Sequence, residues 1–77
     1  MKKTNEITEL VNLTQLRLFH KKSLAEVSGW IGISRSYLFY LEKGQRRLSL
    51  ENAQKMSEYY HVDLGTIERM YSNQRGT

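Results

Sequence analysis

Residues 23–44 read SLAEVSGWIGISRSYLFYLEKG. The stretch divides at Gly32 into two short helices. Ser23 with Glu26 three positions on has the spacing of a capping box, in which a serine hydroxyl and a carboxylate satisfy each other's backbone N–H groups. Val27, Ser28 and Ile31 then fall on one inward face. Gly32 suits the left-handed residue that closes a helix, and Ile33 is expected to be buried in the turn. Ser34 is a second N-cap and opens a helix that runs through Glu42. Leu38 and Leu41 form its inner edge, and Gly44 stops it. The spacing predicts the first helix over about 23–31 and the second over about 34–43.

Working outward, a preceding helix is predicted from about Asn5 or Glu6 to Phe19 or His20. Leu10, Leu13 and Leu16, with Arg17 beside them, make one face. Val11, Leu18 and Phe19 lie on another side, more apolar surface than one core stripe needs. A wider buried stripe and a contact surface for a partner subunit are both open there. Downstream, Gln45-Arg46-Arg47 forms a basic loop. Ser49 caps a fourth helix that runs to about Tyr60, in which Ala53 and Met56 pair at i, i+3 after Leu50, and only one of the adjacent Tyr59 and Tyr60 can face a narrow core stripe. Asp63 caps a fifth, from Leu64 to about Tyr71, with Leu64, Ile67 and Met70 or Tyr71 inward. Residues 1–5 read as a flexible arm, 6–71 as one domain and 72–77 as a fraying tail. The fold class is therefore all-α, with five helices.

Seventy-seven residues make a single domain with a small core, which dimerisation would support. No run approaches the roughly 18 apolar residues of a membrane span. The basic start Met1-Lys2-Lys3 lacks the apolar stretch of a secretory signal. With no cysteine there is no disulfide, Cys-type zinc site or thiol nucleophile, which suits a cytoplasmic protein. The net charge of +4 favours an anionic partner. Its placement says more: Arg35, Lys43, Arg46 and Arg47 are close in sequence and opposed only by Glu42.

Two helices joined by such a turn are a helix-turn-helix, whose second member can enter the DNA major groove. The pattern resembles the Xre-like family of phage and bacterial repressors that includes the lambda and Cro-type proteins. The resemblance runs from about Leu13 to Ile67. It is carried by Ile31-Gly32-Ile33-Ser34-Arg35-Ser36-Tyr37-Leu38 and by Leu41-Glu42-Lys43-Gly44. The chain departs from the family at Leu24, where a phosphate-binding Gln is usual, at Ser28, where Ala is usual, and at Leu48, where Pro is frequent. A Gly is also frequent near Lys21.

The resemblance implies a five-helix, lambda-repressor-like DNA-binding domain that regulates transcription, with double-stranded DNA as its partner and no cofactor or metal. It implies base contacts from Arg35, Ser36 and Tyr40, and backbone contacts from Ser34, Tyr37, Lys43, Gln45, Arg46 and Arg47. Arg35 can donate twice to guanine O6 and N7. Tyr40 suits a phosphate or a thymine methyl group. Phe39 would be explained by a thymine methyl or by subunit packing. The family's ion pair between the first helix and the end of the third falls on Arg17 and Glu42. A homodimer, weak off DNA, is expected on a palindromic site, with Tyr59, Tyr60, Met70 and Tyr71 as candidates for its interface.

No enzyme constellation stands out. His20 and His61 are expected at opposite ends of the domain, neither with a metal-ligand partner at helical spacing. Gly29 and Gly32 make no phosphate loop, and no Ser-His-Asp grouping is suggested. The rival reading is a protein-binding module on the same fold, such as an anti-repressor. Leu24 and the aromatic residues Trp30, Phe39 and Tyr40 support it. For Trp30 itself, an edge cap on the core and a protein-partner site both remain open.

Overall fold

The computed structural model describes residues 10–75. Among them are five helices and no strand: α1 (Leu13–Phe19), α2 (Leu24–Ile31), α3 (Arg35–Glu42), α4 (Leu50–Tyr60) and α5 (Leu64–Arg75). Each opens on a short polar side chain. Asn12, Ser23, Ser34 and Ser49 accept hydrogen bonds from the amides of Gln15, Glu26, Tyr37 and Asn52. Asp63 accepts from the Thr66 amide in the same way. In α2 the box is complete, because the Ser23 amide donates to Glu26 at 2.8 Å.

Four of the helices also stop in one way. Lys21, Gly32, Gly44 and His61 take left-handed φ values of 58, 91, 76 and 58°. The amide after each donates five residues back: Lys22 to Arg17, Ile33 to Ser28, Gln45 to Tyr40 and Val62 to Ser57, at 3.2, 3.0, 2.8 and 3.1 Å. This is the Schellman arrangement. A Cβ at Gly32 would meet no atom within 4 Å, so the dihedral alone selects glycine there. Lys21 and His61 carry that dihedral with a Cβ, at a cost of about 1–2 kcal/mol each.

The caps fix where helices begin and end, and the apolar spacing fixes how they assemble. Leu13 and Leu16 of α1, Val27 and Ile31 of α2, Leu38 and Leu41 of α3, Ala53, Met56 and Tyr60 of α4, and Ile67 and Met70 of α5 form one buried cluster. Helix α4 packs on α5, α2 on both α3 and α4, and α1 on α5. Ile33 is half-buried rather than buried.

Three expectations are corrected. First, the helix expected to run from Asn5 or Glu6 is not continuous: α1 begins only at Leu13. Asn12 sits in extended backbone and caps it, while the Val11 amide donates to the Gln15 side chain at 2.6 Å. Second, the expected tail from Ser72 is helical to Arg75, because long-range bonds hold it. Asn73 donates to the Val11 carbonyl at 2.9 Å. Gln74, 8 % exposed, accepts from the Leu13 amide at 2.7 Å and donates to the Leu41 carbonyl at 2.9 Å. Third, Tyr60 and Met70 are core residues and not interface candidates. They continue the spacing Ala53, Met56, Tyr60 and Ile67, Met70, Gln74, and that spacing turns them inward. The arm at residues 1–5, the start expected for the first helix at Asn5 or Glu6, and the last two residues lie outside the described residues.

Arg17 and Glu42 join α1 to the end of α3. The guanidinium donates from Nε to Oε2 at 2.9 Å and from Nη2 to Oε1 at 3.1 Å. Its remaining nitrogen donates to the Lys22 carbonyl at 3.0 Å, and the Thr14 hydroxyl donates to Glu42 Oε1 at 2.9 Å. The two side chains are 11 % and 5 % exposed. A pair this enclosed is stable because every charged atom that can be satisfied is satisfied. Burial, and then the Glu42 charge, push the neighbouring Tyr60 phenol well above its ordinary pKa. Replacing Glu42 by Ala strands the guanidinium. The expected loss is about 3–5 kcal/mol in urea unfolding; a loss under about 1 kcal/mol would match only a surface pair.

Candidate nucleic-acid interface

Helix α3 has eight residues, too few to be stable alone, so its neighbours determine which side it shows. Leu38 and Leu41 are buried in the core, and Glu42 is held by Arg17. Arg35, Ser36, Phe39 and Tyr40 therefore face outward, and all four are exposed. With Leu24 from the first turn of α2 they line a shallow groove between the two helices. Leu24, half-buried and packed against the core, gives that groove an apolar wall where the family's usual Gln would give a polar one.

The aromatic pair carries cations. Phe39 and Tyr40 meet edge to face with centroids 5.3 Å apart. The Lys43 ammonium lies 5.1 Å from the Phe39 centroid, and the Arg46 guanidinium lies 5.4 Å from that of Tyr40. Such contacts attract each cation to the face of a ring and keep it near the outward side of α3. Glu42, the one acid in the sequence between Arg35 and Arg47, is buried and paired with Arg17, so no exposed acid interrupts the run Arg35, Lys43, Arg46 and Arg47. Ser34 is exposed, but its hydroxyl accepts from the Tyr37 amide at 3.0 Å and serves first as a cap.

Beyond α3 the basic loop is shaped from two sides. The Tyr37 hydroxyl, on α3, donates to the Arg47 carbonyl at 3.2 Å. The Tyr71 hydroxyl, on α5, donates to the Arg46 carbonyl. Gly44, Gln45, Arg46, Arg47, Leu48 and Tyr71 together line an open cavity. Tyr37 and Tyr71 thus have a task inside the chain that their spacing did not announce. For Tyr71, expected at a subunit interface, the hydroxyl ties the last helix to the loop. Gln74 and Thr14 were also missed: the first lies on the inner stripe of α5 at the spacing of Ile67 and Met70, the second one turn before Arg17.

His20 and His61, expected far apart, line one cavity with Lys22, Trp30, Glu58 and Tyr59. Each histidine lies next to or at a left-handed stop, His20 before Lys21 and His61 at its own. His20 stacks on Tyr60, with centroids 5.2 Å apart, and its Nε2 is buried without a hydrogen-bond partner. Burial, then the nearby His61 and Lys22, hold its imidazole below the ordinary 6.5. Among the described residues no group of three His, Cys, Asp or Glu side chains is placed to hold a metal ion. No helix there is long and apolar enough to cross a membrane.

A family model described as Helix-turn-helix matches residues 9–67. No curated protein and no solved structure matches the chain.

Two measurements check this geometry. Tyr71→Phe keeps the ring and removes the hydroxyl from the Arg46 carbonyl. It should cost about 0.5–1.5 kcal/mol in urea unfolding, the range for one hydrogen bond; an unchanged midpoint would dismiss the tie. For His20, the unfolded chain takes up the proton before the folded one does. The contribution of this group is intact above the unfolded value of 6.5 and is lost as pH falls below it, until the folded imidazole also protonates. Replacing His20 by Phe should flatten the decline in stability as pH falls below 6.5.

Proposed function

The chain belongs to the Xre-like helix-turn-helix family of DNA-binding transcriptional regulators, and on that footing we propose that it is a repressor that binds a palindromic operator as a dimer. The observation that carries this reading is the outward row Arg35, Ser36, Phe39 and Tyr40, flanked by Lys43, Arg46 and Arg47 with no exposed acid among them. Arg35 and Ser36 stand in the first turn of α3, the part of a recognition helix that reaches base edges. In this reading Arg35 takes guanine O6 and N7, Ser36 a neighbouring base edge, and Tyr40 a thymine methyl or a phosphate. Ser34, Tyr37, Lys43, Gln45, Arg46 and Arg47 lie along the sugar-phosphate backbone. Arg46 leaves the Tyr40 ring for a phosphate as the complex forms. The protein acts in the cytoplasm, where operator DNA is accessible.

A dimer follows from the demands of selectivity. One module of this size buries too little surface to pick a site from a genome. Two copies on a two-fold site set their recognition helices about 34 Å apart, one helical turn of DNA. Association is weak in solution and is completed on DNA. The rival reading, a protein-binding module, draws on the exposure of Trp30, Phe39 and Tyr40. Salt-dependent binding to duplex DNA separates the two, since counterion release is the signature of phosphate contact.

The test is titration of specific and random duplexes, the specific one selected from a random pool, at several salt concentrations. Arg35→Ala should lose about 1–3 kcal/mol on the specific duplex alone and relax one position of the site. Replacing Arg46 or Arg47 by Ala should weaken both duplexes alike and flatten the salt slope by about one unit each. Equal losses on both duplexes for Arg35→Ala would remove it from base readout. Binding that ignores salt would remove DNA as the partner.

A further inference from the structure

Five rings from α1, its C-cap, α4 and α2 make a continuous chain of contacts. They are Phe19, His20, Tyr60, Tyr59 and Trp30, and successive centroids are 5.3, 5.2, 5.3 and 5.1 Å apart. The middle of the row is core, since Tyr60 is buried. The ends are open: Phe19 is 39 % exposed and Trp30 52 %, with Leu18 beside Phe19 at 59 %. Single exposed apolar residues are ordinary, but a joined set that includes a tryptophan is the composition of a protein contact.

Charges flank the row. Lys22 and Glu58 share the wall of the cavity of about 410 Å³ that His20, Trp30, Tyr59 and His61 complete. Neither Lys22 nor Glu58 has an ionic partner among the described residues. The buried His20 Nε2 also lacks a hydrogen-bond partner here. None of these residues belongs to the groove at Arg35 or to the loop at Arg46. The surface thus shares no lining residue with the candidate DNA face.

We infer that this aromatic face is the contact between two copies of the chain, related by a two-fold axis that sets Lys22 of each against Glu58 of the other. In a two-fold contact residue i meets residue j and j meets i, so one patch must complement itself. A strip of rings with one cation and one anion on its flank meets that demand. A polyanion is a poor occupant, because Glu58 would oppose it. The inference rests on the reading of the chain as a dimer on DNA, and it identifies the face that joins the two copies. Of the earlier candidates, Tyr59 belongs to this face; Tyr60 lies beneath it, and Met70 and Tyr71 do not take part.

The charges supply a test that does not disturb the core. Lys22→Glu and Glu58→Lys each set like charges against one another across the axis. Either single variant should lose at least about tenfold in cooperativity, read as affinity for a selected full duplex site relative to a half site. The double variant restores both pairs with their signs exchanged and should recover wild-type cooperativity. A mixture of the two single variants pairs opposite charges at both positions and should recover it too. Sedimentation of the free chain should give the same order. Emission from Trp30, the single tryptophan, should shift to shorter wavelength as copies associate. Circular dichroism checks that each variant remains helical. Single variants as cooperative as wild type, or a double variant as weak as the singles, overturn this face while leaving the DNA-bound dimer in place. Duplex binding by the wild type with no cooperativity on the full site overturns the dimer reading and this face together.

Discussion

The bidentate pair of Arg17 and Glu42 is the constraint on which the rest of the structure depends. Helix α3 is too short to stand alone, yet it must sit squarely on the domain with one side free. Leu38 and Leu41 anchor it by burial, but burial alone lets a short helix rotate and slide. The guanidinium fixes its end in a planar grip from α1, and Thr14 adds a second bond to the same carboxylate. Gln74 adds a third restraint from α5 by donating to the Leu41 carbonyl, which also accepts from the Gly44 amide at the helix end. Two helices, α1 and α5, therefore converge on the last turn of α3, while the side chains of Arg35 and Ser36 in its first turn are left to the solvent.

The same pair decides the electrostatics. Glu42 is the one acid between Arg35 and Arg47, and its burial against Arg17 removes it from the surface. What remains outside is a run of cations, two of which, Lys43 and Arg46, sit over the rings of Phe39 and Tyr40. A structural ion pair and a positive surface are thus one arrangement seen from two sides.

Local chemistry was legible in the sequence, and distant chemistry was not. Ser23, Ser34, Ser49 and Asp63 could be read as caps because a cap and its amide lie within one turn of each other. Gly32 and Gly44 could be read as stops for the same reason. The stops at Lys21 and His61 were hidden, since their side chains do not advertise a left-handed backbone. The face of α3 followed from Leu38 and Leu41. The start of α1 did not, because apolar spacing continues through Leu10 while Asn12 takes the capping geometry. Gln74, Tyr71 and the meeting of His20 with His61 depend on helices far apart in the chain. No periodicity within one segment encodes them. The resemblance supplied the pairing of Arg17 with Glu42; the spacing of either residue alone would not have.

The division of labour within α3 has an evolutionary consequence. Its anchoring residues, Leu38, Leu41 and Glu42, are distinct from its outward ones, Arg35, Ser36, Phe39 and Tyr40. Exposed substitutions away from caps and core usually change stability by no more than about 0.5 kcal/mol. On the proposed reading of α3, duplicated copies of such a gene could therefore diverge at the four outward positions and come to recognise different DNA while keeping the scaffold whole. On that reading, new specificities are reachable by single substitutions, with no compensating change in the core.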